Sequence, residues 1–223
     1  IVTGESTSSL TTGNPGVVID VNGTLNVASN IVGGDLIEQH SLGNVGASSK
    51  IQGTSSVTIS AANFSTSEEI IGGSYVHAAG GTTERPAAAQ VGSTRVEISA
   101  GTIGGNIIGG GKVNISELGN HANETYAISH VGTANVLISD GTINGAVIGG
   151  GNAKARAGLD GGAHVDAVNI EITGGKINGG VIGGGMAYTY EASNGSTLTS
   201  KKGISSIVIS NADVSGFQYD SGI

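Results

Sequence analysis

The chain has 223 residues, a net charge of −8 and no cysteine. That charge argues against a nucleic-acid binder, which needs a basic stripe to neutralise phosphates, and the missing thiols exclude disulfide staples and thiolate metal sites. No stretch has the length and apolarity of a transmembrane helix, and the opening IVTGESTSSL lacks the basic and apolar regions of a signal peptide.

Residues 1–16 contain the turn signal Asn14-Pro15-Gly16 and are expected to cap the first coil of a repeating structure. From residue 17 to residue 215 one unit is copied. Its clearest forms are VEISAGTIGGNIIGGG from Val96, VLISDGTINGAVIGGG from Val136 and IEITGGKINGGVIGGG from Ile170. Weaker copies start at Ile19, Val57 and Ile207. A period of this length is the signature of a solenoid, whose units bury their apolar faces only by stacking.

Within a copy, β-branched residues alternate with small or polar ones, the period of a strand. Stacking predicts four apolar columns. The first runs Val57, Val96, Val136, Ile170, Ile207, and the second Ile59, Ile98, Ile138, Ile172, Ile209. A third runs Phe64, Ile103, Ile143, Ile177, Val214, and a fourth Ile71, Ile108, Ile148, Ile182. Each buried Ile or Val contributes roughly 1.5–3 kcal/mol, so aliphatic ladders can replace an aromatic core. Gly101, Gly141 and Gly174 are placed at corners after the first strand, and Gly109, Gly149 and Gly183 at the end of the second.

The fold expected is all-β, a right-handed single-stranded parallel β-helix of about five to six coils, as one unit over 1–223. Residues 1–16 are its N-terminal cap, 17–215 its coils, and 216–223 a truncated or capping end of a longer protein, with Phe217 and Tyr219 over the last rung. A coil needs some twenty-odd residues, so each repeat is expected to carry a long loop between Gly-Gly-Gly and the next strand. The competing arrangement, two short coils per repeat, rests on Val113-Asn114-Ile115-Ser116 echoing the strand motif in one copy.

The repeats, with VxISxGTIxGxVIGGG as the clearest form, resemble the passenger domains of bacterial autotransporters and related surface adhesins. The resemblance implies export to the bacterial surface, anchoring at the outer membrane, and binding of a host-cell or bacterial surface protein or glycan. It implies no shared catalytic residues. The function expected is therefore a non-catalytic adhesin or passenger module without cofactor, able to self-associate by coil stacking. A polysaccharide-binding or polysaccharide-degrading β-helix and a structural stalk are the alternatives.

Candidate binding residues fall in the expected loops: Tyr75, Arg85, Tyr126, Arg156, Tyr188 and Tyr190. Tyr offers a flat apolar face with a hydroxyl, suited to sugars or a protein surface, and Arg adds charge for acidic groups. No catalytic and no metal-binding residue is assigned. His130 and His164 each lie six residues before a copy start and should stack, but the equivalent places hold Ile51, Gln90 and Lys201. Glu97 and Glu171 share a column with Leu137 between them, about 9–10 Å apart by strand spacing. Asp140 sits at a corner whose counterparts are Ala100 and Gly174.

Overall fold

The computed structural model describes residues 2–4, 8–39, 47–78, 87–115, 126–156, 160–190, 198–199, 202–216 and 218–219. It is a parallel β-solenoid, and the described residues contain no helix. Four sheets, here A to D in the order the chain visits them, run the length of the stack. Coil 2 shows the circuit: Leu36–Gln39 in sheet A, Ala47–Ile59 in B, Phe64–Thr66 in C and Ile70–Ile71 in D. Coil 3 repeats it with Tyr75–Ala78, Ala87–Ile98, Thr102–Ile103 and Ile107–Ile108. Coil 4 continues with Lys112–Ile115, Tyr126–Ile138, Thr142–Ile143 and Val147–Ile148. Coil 5 has Asn152–Arg156, Asp160–Ile172, Lys176–Ile177 and Val181–Ile182.

These four coils are flanked by one at each end whose sheet B portion is split. Coil 1 uses Val2–Gly4, then Ser8–Thr12 with Gly16–Ile19, Leu25–Val27 and Ile31–Val32. Within 1–16, therefore, Val2–Gly4 pairs with sheet A and Ser8–Thr12 with sheet B as part of a rung. Coil 6 uses Met186–Tyr190, Leu198–Thr199 with Lys202–Ile209, Asp213–Val214 and Gln218–Tyr219.

The circuit corrects the expected loops. Each repeat is one whole coil, and the described residues of the segments after the glycines form sheet A and the first half of the long sheet B strand. Their alternation was masked by small residues: Val76, Ala78, Ala87 and Ala89 in coil 3 are all fully buried, as are Val113, Ile115 and Ala127 in coil 4. They form an alanine-rich core between sheets A and B, separate from the larger Ile/Val core enclosed by the rest of B with C and D. Val113 and Ile115 thus belong to sheet A, and the two-coil arrangement falls away.

The glycines after sheet D make the waist between these two cores. A methyl on Gly109 would stand 2.7 Å from the Gly149 carbonyl and 2.8 Å from Val136 Cγ2. One on Gly110 would stand 2.6 Å from Val165 Cγ2. With no side chain in the way, the backbone lies on sheet B, closes the larger core and turns outward into sheet A. Buried hydroxyls stitch the same waist: Ser55 donates to the Gly72 carbonyl and Thr94 to the Gly109 carbonyl, both at 2.6 Å.

Register confirms the first, second and fourth columns residue by residue. Three details differ. Val17, not Ile19, stands opposite Val57, so the first copy starts two residues earlier. In the third column Thr66 opposes Ile103, while Phe64 pairs with Leu25 and fills the space beneath the Gly101 corner. The left-handed corner of coil 5 is Gly175, with φ of 83°, in line with Gly141 at 104° and Gly101 at 90°; Gly174 precedes it.

Candidate functional site

Sheet A gathers most of the candidate residues. Its strands alternate, so one set of side chains enters the alanine-rich core and the other forms an outward face, although Asn152 in the first of its columns is buried, at 4 % exposure. One outward column reads Leu36, Tyr75, Lys112, Asn152, Met186. The next reads Glu38, His77, Asn114, Lys154, Tyr188. Arg156 and Tyr190 are register partners at the ends of their strands. Neighbouring rungs are about 4.8 Å apart, so Tyr75 and Tyr188 are separated by three rungs, about 14 Å along the axis.

Aromatic rings and cations are interleaved on this face. The Tyr75 and His77 rings lie parallel within 16°, with centroids 6.3 Å apart. Lys112 Nζ stands 5.0 Å over the Tyr75 ring, and Lys154 Nζ 5.8 Å over that of Tyr188, both within cation–π range. Lys112 is further fixed by donating to Glu69 Oε2 at 2.5 Å, while Asn106 Nδ2 donates to Glu69 Oε1 at 2.8 Å. Lys112 and Glu69 are mostly buried, at 17 % and 16 % side-chain exposure, so this end of the face is preorganised. Tyr188, 43 % exposed, is the open end.

Of the six candidates, then, Tyr75, Arg156, Tyr188 and Tyr190 belong to one sheet. Tyr126 begins the sheet B strand of coil 4, and Arg85 lies outside the described residues. All five described candidates are strand residues, not loop residues. Sequence reading missed His77 and Lys112, although the patterns Tyr75-Val76-His77-Ala78 and Lys112-Val113-Asn114-Ile115 carry a two-residue alternation that would have found them.

The outer face of sheet B carries a second feature. His130 and His164 are register partners, as their spacing predicts. Gln90 opposes His130, and Lys50, not Ile51, opposes Gln90, because coil 2 has one extra residue where the register shifts between Val91 and Ser93. Position 201 lies outside the described residues. Concavities of about 560 Å³ and 450 Å³ run along this column and share Gln90 and His130. His130 Nε2 lies 2.8 Å from Asp166 Oδ1. Among the described residues no three His, Asp or Glu side chains are placed to share a metal ion.

A third, smaller concavity of about 270 Å³ contains Glu97, Leu137 and Glu171 with the Ser99, Ser139 and Thr173 column. Leu137 is the register partner of both glutamates, which keeps them two rungs apart. Glu97 is engaged by Arg95, whose guanidinium is raised above its usual pKa by that hydrogen bond. Asp140 accepts the backbone N–H of Gly141 at 2.7 Å and so serves the corner. Ser99 Oγ donates weakly to the Ile59 carbonyl at 3.4 Å, a contact between coils.

Fold and surfaces together define a parallel β-solenoid with a folded-in second sheet pair and an aromatic–cationic outer face. Compared with family models, curated proteins and solved structures, the chain matches none.

Proposed function

We propose that this chain is a non-catalytic adhesin or passenger module, displayed on a bacterial surface or secreted, that binds a surface protein or glycan through sheet A. The observation that carries the reading is the convergence of Tyr75, Lys112, Lys154 and Tyr188 on one face, with ring–cation contacts at both ends. Flat rings stack on sugar faces or protein side chains, and Lys154 adds positive charge on this face of a chain whose net charge is −8. The repeats supply a rigid frame that fixes the spacing of these groups, which lowers the entropy lost on binding.

The test is binding to whole cells and to a glycan array by the intact chain and by the Tyr75→Ala/Lys154→Ala/Tyr188→Ala variant. Specific binding that the triple substitution reduces at least tenfold, with an unchanged circular dichroism spectrum, is the expected result. Binding that survives it unaltered would place recognition elsewhere on the molecule.

A further inference from the structure

The corner of coil 1 between sheets B and C is one that its neighbour does not hold. Ile19 stands opposite Ile59 before it and Leu25 opposite Phe64 after it. Between those partners coil 1 has five residues, 20–24, where coil 2 has four, 60–63, and all five are exposed. The bonds that flank the corner are Ser60 N–H to the Ile19 carbonyl at 3.0 Å and Leu25 N–H to the Asn63 carbonyl at 3.3 Å. Asn22 and Gly23, at its centre, make no hydrogen bond with any of the described residues. The same dipeptide recurs as Asn144-Gly145 and Asn178-Gly179, in the corners between sheets C and D of coils 4 and 5, and there it is restrained. The Gly179 N–H donates to the Gly145 carbonyl at 3.1 Å, and Asn178 Nδ2 donates to Asn144 Oδ1 at 2.9 Å. Both asparagine N–H groups are paired with the preceding coil, to Ile103 and Ile143 carbonyls at 2.8 Å.

We propose that Asn22 is a site of non-enzymatic covalent modification, converting through a cyclic imide to aspartate and isoaspartate, while the two paired Asn-Gly corners are protected by the fold. The Gly23 backbone nitrogen loses its proton and attacks Asn22 Cγ; the N–Cγ bond forms, the Cγ–Nδ2 bond breaks, and the amide leaves as ammonia. Water then adds to the imide. Opening at Cγ gives aspartate, and opening at the main-chain carbonyl gives isoaspartate, with the chain now running through Cγ; no oxidant or reductant is involved. The attack requires the nitrogen to swing toward its neighbour's side chain, which a backbone paired into the stack does only by opening first. At Asn178 the attacking nitrogen and the departing amide are both engaged, whereas at Asn22 neither is. The product carries one more negative charge and, as isoaspartate, one more methylene in the main chain. Because the strands on both flanks stay paired, the change is confined to the corner and leaves the rungs of coil 1 in place.

The experiment incubates the intact chain at mildly alkaline pH and follows each Asn-Gly pair by peptide mass spectrometry, with fragmentation to separate isoaspartate from aspartate. Each hydrogen bond that has to open first lowers the reactive population by up to about tenfold, so Asn22 should convert at least about tenfold faster than Asn178. In denaturant, where no corner is paired, the rates should converge. Gly23→Ala supplies the second variant. A methyl on Gly23 would meet no atom within 4 Å, and its φ is not in the left-handed region, so the fold should be unchanged in circular dichroism and thermal unfolding. The same methyl crowds the attacking nitrogen and should slow conversion of Asn22 severalfold. Equal rates at Asn22 and Asn178 in the folded chain, faster conversion at Asn178, or an undiminished rate in Gly23→Ala would overturn the proposal.

Discussion

Thr94 and Ser129 both bury a hydroxyl completely on the inner side of sheet B, and they predict opposite responses to its removal. Thr94 donates to the Gly109 carbonyl at 2.6 Å, whereas the Ser129 hydroxyl has no hydrogen-bond partner among the described residues. A satisfied buried hydrogen bond contributes about 1 kcal/mol and its loss strands the acceptor, while an unpaired hydroxyl costs desolvation. Thr94→Val should therefore destabilise the chain by about 1–2 kcal/mol, and Ser129→Ala should be neutral or stabilising, both read by chemical denaturation. Gly141, at φ of 104° with the Gly101 carbonyl 3.1 Å from any added methyl, gives a third residue-scale expectation. Gly141→Ala should cost about 1 kcal/mol or more.

At the scale of elements, the alanine-rich core decides whether the segments after the glycines are structure or appendage. Ala89 is fully buried between sheets A and B, with Ser49 and Ser129 as its partners on the adjacent rungs. If these segments were loops, a larger apolar residue there would be tolerated. Between packed sheets, Ala89→Leu forces the backbones apart and should destabilise by about 1–3 kcal/mol in thermal unfolding. These strands were hard to read because alanine marks neither a core nor a strand. Phe64 shows the converse: its size drew it into the third column, although Thr66 holds that place and Phe64 fills the corner. Likewise Ile19 drew the first copy start two residues late, since IDVNG imitates the motif better than Val17 does.

For the whole molecule, the repeat made the stacking legible because the same residue type recurs at each rung, and a ladder needs only that regularity. Ile138→Asp would put an unpaired charge in the middle of the second column, 1 % exposed, and should abolish cooperative folding, whereas Lys176→Asp on the exposed side should not. The candidate surfaces were less legible than the ladders. Tyr75 and Tyr188 were conspicuous as rare aromatics, but their meeting with Lys112 and Lys154 depends on sheet A, whose strands lie in segments that differ from copy to copy. That Lys50 and not Ile51 joins the Gln90, His130, His164 column on sheet B depends on a one-residue register shift in coil 2, invisible until the strands are paired.

The architecture rests on each repeat forming one coil, with sheet A in register through the stack. Because the chain has no cysteine, introduced pairs report on this cleanly. His77 and Asn114 are register partners on the outward face of adjacent rungs, within the separation a disulfide can span, whereas Lys154, next in the same column, lies two rungs from His77. Under mild oxidation, His77→Cys/Asn114→Cys should form an intramolecular disulfide in high yield and His77→Cys/Lys154→Cys should not. Equal crosslinking of both pairs, or of neither, would contradict a paired sheet A and return these segments to loops.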